Sequence, residues 1–394
     1  MIGLVSDHPS GSGLPDDAFA DVPLLREIQR VLLSGAGPVN WELARQVGIA
    51  SGAMSGDDAQ PTDEDRRVLQ GAVRMAELAV ADLTGLDAPA EVASVQPVRR
   101  AEWIEANVRG LRGIFEPSAE RLARALNEAR RAEDAPEENA QLLAAVMDRM
   151  APLLAGAQVG MVLGHLAQRV FGQYELPLPR AEQSALLFVV PNIAAFERDW
   201  SLPPDQFRAW VAMHETTHAF ALGRPWVREH FLGLVREMAA AMEFDLTDLL
   251  ERLEGLDMSD PQKLTEVLGG ELLTGALTDE QRLLLRRVQA FMAVAEGHAD
   301  HVMATIGSKM LPEFARIEEA MKRRHEERSQ EEQALERLLG IEMKLEHYRT
   351  GRAFCDRVAE QADERTLARI WESAEALPSM PELEEPTLWL SRMA

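Results

Sequence analysis

Apolar residues recur at helical spacing along most of this chain, and the places where that period fails mark its elements. Residues 1–23, rich in Gly, Pro, Ser and Asp, lack the period and are expected to form a mobile leader. A short helix is predicted near Trp41, and the polar, Gly-containing stretch 48–63 separates it from a long helix starting around Thr62. From 62 to 151 the pattern is helix after helix, with breaks expected at 86–89, 96–97, 116–117 and 135–136. Residues 150–167 are the longest apolar run, interrupted by Gln158 and His165 and carrying Gly156, Gly160 and Gly164. They are short for a bilayer span and predict a buried, closely packed helix with His165 as a hydrogen-bonded core histidine. Residues 184–190, dense in β-formers and ending before Pro191-Asn192, give the one convincing strand signal. Helical spacing returns over 226–254 and 260–302, with a turn at Gly269-Gly270, and 313–337 is a charged run expected as a solvated helix. The fold class predicted is mainly α with a small β component.

Composition narrows the function classes. A chain of 394 residues with 46% hydrophobic content can bury a sizeable core. Its net charge of −24 disfavours nucleic acid or an anionic membrane as partner and suits a basic peptide or other cationic substrate better. Cys355 is the single cysteine, so no intrachain disulfide can form, and a cytoplasmic, reducing compartment is expected. The amino terminus has no secretory signal pattern. There is no convincing internal repeat and no Gly-rich phosphate loop of the Walker or dinucleotide type.

The chemistry concentrates in His214-Glu215-Thr216-Thr217-His218. Residues four apart on a helix differ by only about 40° around its axis, so both imidazoles face one way and can grip one metal ion. Glu215 lies beside that row, where it can act as base toward water at the metal. Phe207, Trp210, Val211, Met213, Phe220 and Leu222 make the helix at least partly buried, and Gly223-Arg224-Pro225 should stop it. Buried histidines need partners, and Zn2+ is the cofactor expected.

A catalytic zinc takes three protein ligands, so a third must come from elsewhere. The best candidate is Glu296 in Glu296-Gly297-His298-Ala299-Asp300-His301. Glu296 and Asp300, four apart, share a face among apolar neighbours. Glu296 would bind the metal, and Asp300 would accept a hydrogen bond from the far nitrogen of a ligating histidine. Gly297 suggests close helix packing. For the oxyanion of an acyl-transfer intermediate, Tyr348 is the chosen donor, with His230, His298 and His301 as competitors.

At these residues the chain resembles the gluzincin pattern of zinc metallopeptidases, an HExxH helix followed by a Glu-x-x-x-Asp helix. More specifically it resembles a zincin-like bacterial family of hydrolases labelled zinc-dependent metalloproteases or coenzyme F420 biosynthesis-associated proteins. The landmarks are Val39-Asn40-Trp41, Glu102-Trp103, Gly156 to Gly160, Gly172-Gln173-Tyr174, Pro191-Asn192-Ile193, Trp210 to His218, Glu296-Gly297-His298 and Met343 to Phe354. The resemblance implies a mostly helical fold around a zincin-like core, with His214, His218 and Glu296 as ligands and Glu215 as base. It implies no substrate, and the interval from His218 to Glu296 is longer than in the thermolysin-like branch. With it, residues 24–180 are expected as a helical domain and 181–394 as the zincin-like catalytic domain. Zincin-like enzymes commonly set an edge strand beside the motif helix, and the resemblance makes residues 186–190 the candidate for that role toward an extended peptide.

The expected function is thus zinc-dependent hydrolysis of a peptide or other amide. The rival is a helical scaffold or interaction protein with a structural metal, or an inactive relative tied to a biosynthetic pathway. Glu215 separates the two, because a structural site has no use for a base beside its ligands.

Overall fold

The computed structural model describes residues 37–56, 58–132, 138–174, 185–241, 278–326 and 345–394. The expected leader, the break at 135–136, the Gly269-Gly270 turn and the charged run beyond 326 lie outside the described residues.

In chain order the main elements are helix α1 (Trp41–Gly52), α2 (Asp63–Thr84), strand β1 (Val95–Val98), α3 (Arg100–Ala132), α4 (Glu138–Arg169), strand β2 (Leu186–Val189), α5 (Val190–Asp199) and α6 (Pro204–Leu222). They continue with α7 (Pro225–Ala241), α8 (Asp279–Met310), α9 (Phe314–Glu326), α10 (Leu345–Gln361), α11 (Glu364–Ala368), α12 (Met380–Glu384) and α13 (Pro386–Met393). The fold is mainly α with a small β component, as the apolar periodicity implies.

Local chemistry sets several boundaries. The Asn40 side chain accepts the Leu43 N–H at 2.9 Å and starts α1. Thr62 and Asp65 form a reciprocal capping box at α2, which ends at Gly85 in the left-handed region, φ 69°. Thr278 and Gln281 repeat the box at α8. The break expected at 116–117 is absent, and Pro117 lies inside α3. A proline removes one N–H but need not end a long helix whose other turns remain bonded.

Residues 96–97 form part of β1 rather than a helix break. β1 pairs in parallel with β2, Val95 opposite Leu186 and Val98 opposite Val189. Pro97 can sit there because an edge strand needs no donor on its outer side. On the other side of β2, Gly172 forms an antiparallel bridge with Phe188, and the Val189 N–H donates to the Phe171 carbonyl at 2.8 Å. The expected edge role for residues 186–190 is therefore overturned. β2 is buried, with partners on both sides, and its backbone is not free to receive a peptide.

Helix α4 is seated on α1. A Cβ added at Gly156, Gly160 or Gly164 would overlap Asn40, Ala44 or Ser51 and Gly48, so the small-residue stripe permits close contact. The Asn40 N–H also donates to the Pro152 carbonyl at 2.8 Å. Residues Met150–Arg169 are long and apolar enough to cross a membrane by length and composition, but their glycine face is packed within this fold, and His165 is half-buried. At the end of α4, the Asn192 side-chain amide donates to the Ala167 and Val170 carbonyls at 2.8 and 2.6 Å, while its Oδ1 accepts from Arg100 Nε at 2.7 Å.

One hydrophobic core joins both halves of the chain, including Trp103 and Leu163 before the strand β2 and Phe207, Phe291, Phe354 and Trp389 after it. Arg208 of α6 reaches Asp65 of α2 at 2.7 Å and Glu197 of α5 at 2.9 Å. The helix carrying the histidines is thereby tied to both neighbours.

Candidate metal centre

Helix α6 begins with Pro204 at its first turn and stops at Gly223, soon after His218. His214 and His218 share a face, their ring centres 4.6 Å apart and their planes 73° apart. Trp210, one turn before His214, stacks on it at 5.5 Å and 12°. Tyr174 stacks on His218 at 6.0 Å and 26°. Each imidazole is thus held by a neighbouring aromatic face.

Helix α8 supplies the third donor. Glu296 Oε1 lies 3.8 Å from His218 Nε2, and one donor atom each from His214, His218 and Glu296 fall within 4.8 Å of one another. Gly297 has the packing reason its position suggests. A Cβ there would overlap the backbone of Gly351 and Arg352, and one at Gly351 would overlap the Ala293 carbonyl. Helices α8 and α10 therefore cross through two glycines.

Glu215 is held by a segment whose role the motif itself does not reveal. Glu215 is fully buried, and its Oε2 accepts the Tyr174 backbone N–H at 2.7 Å. Gly172 leaves room for the carboxylate, since a Cβ there would overlap it. The Gly172 carbonyl in turn accepts from Trp103 Nε1 at 2.9 Å. Gly172, Tyr174 and Trp103 appear among the family landmarks, but spacing alone gives them no connection to Glu215. The bridge to Phe188 and the bond from Trp103 hold that segment beside α6.

The donor set suits a cation. Both ring nitrogens of fully buried His218 lack a hydrogen-bond partner, as does Glu215 Oε1. Leaving such a buried polar atom unsatisfied costs about 1–3 kcal/mol, and a bound cation would relieve the His218 nitrogen that faces it. Burial first, then the charges of His214 and His298, holds the His218 pKa well below the usual histidine value. Its imidazole stays neutral and keeps a lone pair for a metal. Two imidazoles and one carboxylate match a catalytic zinc set with a position left for water.

Other expected residues fall differently. Asp300 is exposed, and neither nitrogen of His218 has a hydrogen-bond partner, so Asp300 does not orient that ring. The shared face puts Asp300 one turn, about 6 Å, further along α8 than Glu296. There its backbone carbonyl accepts from Arg352 at 2.9 Å, and its charge is felt by Glu318 of α9. His301 is engaged elsewhere, its Nδ1 2.6 Å from Asp356 and its Nε2 3.1 Å from Glu364. His298 is buried edge-on to Trp371 at 5.6 Å, and burial, with His301 adding to it, pushes its pKa down to about 3. His230 is half-buried near Trp226, at 6.4 Å. Tyr348 is half-buried on α10, against the core.

His214, Glu215 and Glu296 line a small cleft with a cavity of about 20 Å³. Its apolar walls are Phe171, Trp210, Val211 and Met321.

A crystal structure described as that of a candidate hydrolase with a novel fold, from Chloroflexus aurantiacus, is similar to this chain at 30% identity and a TM-score of 0.65. The similarity covers 90% of this chain and 98% of that one. A comparison with curated proteins finds no match. The sequence model of a zincin-like metallopeptidase family matches residues 39–390, a family that implies a metal, usually zinc. The match runs through both motif helices and nearly all of the described fold, and the chain belongs to the zincin-like metallopeptidase family.

Proposed function

We propose that this chain is a zinc-dependent hydrolase that cleaves a peptide or other amide bond, with His214, His218 and Glu296 as ligands and Glu215 as general base. The observation that carries this is the fully buried His218, with neither ring nitrogen hydrogen-bonded, beside Glu296 and the open Oε1 of Glu215. Zinc bound there would polarise the substrate carbonyl and make nearby water more acidic.

The chain's own groups account for the proton transfers. The Tyr174 N–H occupies Glu215 Oε2 and leaves Oε1 to take the proton from attacking water. The same oxygen then returns a proton to the departing amine. Trp210 and Tyr174 keep the two imidazoles in place, and the apolar cleft walls limit competing water. Tyr348, the expected oxyanion donor, lies on the helix that crosses α8 at Gly297 but does not line the cleft among the described residues. A free, buried Cys355 is consistent with a reducing, cytoplasmic setting.

The decisive experiment pairs metal analysis with cleavage of a mixed peptide library. About one zinc per chain is expected. Glu215→Gln should retain that zinc while lowering hydrolysis by at least about a hundredfold. A variant that keeps full hydrolysis would remove Glu215 from its role, and a protein with zinc but no chelator-sensitive cleavage would favour the scaffold alternative.

A further inference from the structure

Resting on the assignment of Glu215 as base, we infer that Asn192, in the first turn of α5, is a positioning residue for that carboxylate and acts on it through the backbone of residues 167–174. The corner where β2 passes into α5 grips that backbone step by step. Phe188 is bridged to Gly172, the Val189 N–H donates to the Phe171 carbonyl at 2.8 Å, and Asn192 Nδ2 donates to the Val170 and Ala167 carbonyls at 2.6 and 2.8 Å. As the chain runs from 188 to 192, its partners run back from 172 to 167. The grip ends two residues before Tyr174, whose N–H holds Glu215 Oε2 at 2.7 Å.

The chemistry of this grip requires an amide. The last carbonyls of a helix have no partner within it, and α4 ends at Arg169. Ala167 lies in its last turn and Val170 just beyond it. To hold both carbonyls and still accept from Arg100, one side chain must offer two N–H groups and an oxygen. Among side chains only a primary amide does so. Asn192 is 4% exposed, and Arg100, equally buried, donates from Nε to its Oδ1 at 2.7 Å, which turns the N–H groups toward α4.

Donors from two other elements complete the hold. Trp103 Nε1 of α3 takes the Gly172 carbonyl at 2.9 Å, and Arg324 of α9 takes the Arg169 carbonyl. The segment cannot shift along α6 without breaking several of these bonds together. Glu215 follows the backbone N–H that holds it, and a misplacement of about 1 Å at a reacting group lowers a rate by about a hundredfold. A role confined to closing the end of α4 would lower global stability and leave the Tyr174 bond and the reaction unaltered.

Asn192→Asp separates these two roles, because it keeps the size and the acceptor toward Arg100 but removes both donors. Amide hydrogen exchange of the full-length, zinc-loaded chain is followed in peptides that end at Tyr174, with peptides from α2 as reference. Exchange at Tyr174 should quicken about tenfold or more, with the α2 reference within about twofold and zinc content unchanged. On a peptide from the mixed library that the unaltered chain cleaves, kcat should fall about tenfold or more while KM stays within about threefold. Trp103→Phe, which removes the indole N–H, should move exchange and kcat in the same direction. Asn192→Ser carries the same expectation where Asn192→Asp does not unfold cooperatively.

Unchanged exchange at Tyr174 in both Asn192 variants, or an equal rise in the α2 reference, overturns the inference and leaves the metal assignment standing. Quicker exchange with kcat and KM unchanged overturns it equally, as a clamp without influence on the reaction. A Glu215→Gln variant as active as the unaltered chain, or a zinc-bound chain that cleaves no library peptide, overturns the assigned reaction and the inference together.

Discussion

The backbone N–H of Tyr174 donates to Glu215 Oε2 at 2.7 Å, joining the segment beside β2 to the helix that carries both histidines. One carboxylate oxygen is fixed by the backbone, and the other has no hydrogen-bond partner and lies 3.6 Å from His214 Nδ1. A side chain at position 174 has little part in that bond. The space at Gly172 does.

Gly172→Ala should therefore displace the Glu215 carboxylate, since a Cβ would overlap it. Overpacking of this kind costs about 1–3 kcal/mol. The expected result is a lower thermal midpoint and loss of hydrolysis, with zinc still bound through His214, His218 and Glu296. Zinc retention is read by metal analysis; wild-type activity and stability together would refute the proposed crowding.

Removing the metal should destabilise the protein. A ligand at a hundred times its dissociation constant adds about 2.7 kcal/mol to folding stability. Excess chelator should lower the unfolding midpoint of the intact chain and have little effect on a His214→Ala, His218→Ala double variant. Equal responses in the two proteins would place any bound metal outside this centre.

Glu296 and Asp300 should separate cleanly despite sharing a helical face. Glu296→Ala is expected to weaken zinc binding by about a hundredfold or more. Asp300→Ala should stay within about threefold, because Asp300 is exposed and accepts no hydrogen bond from His218. Competition with a chromophoric chelator measures both. A large loss in Asp300→Ala would restore it as an orienting residue.

His301 should make stability depend on pH. Burial alone would lower its pKa, but hydrogen bonds to Glu364 and Asp356 outweigh that and raise it. Its contribution is thus fully present below the ordinary histidine pKa and is lost as pH rises through the raised folded value. Burial pushes the Asp356 pKa up, while His301 and Arg352 bring it below the usual value, so that part is lost as pH falls through the lowered folded value. His301→Gln should cost about 1 kcal/mol near neutrality, discounted because the Asp356 side chain is 38% exposed. Denaturant unfolding should show the difference shrinking on the alkaline side; a constant difference would exclude the charged histidine as its cause.

Helical geometry makes local relationships legible in one dimension. The four-residue interval determines that His214 and His218 share a face, and Gly223 marks where their helix stops. The apolar pattern likewise identifies the seat of α4 through its small residues and places Glu296 on a second buried helix. What local spacing could not supply is which distant segments meet. It reads Gln96-Pro97 as a break, whereas pairing with β2 makes it a strand. It gives Asp300 the same face as Glu296, yet the rise of one turn carries it to an exposed position near Glu318. The support of Glu215 by Tyr174, the room left by Gly172, the anchor from Trp103 and the cleft wall at Met321 also arise only on packing. The sequence by itself determined the donor types and their directions on each helix, because backbone geometry is local. Only the tertiary structure decided their partners, because those depend on how surfaces far apart in the chain exclude water and one another.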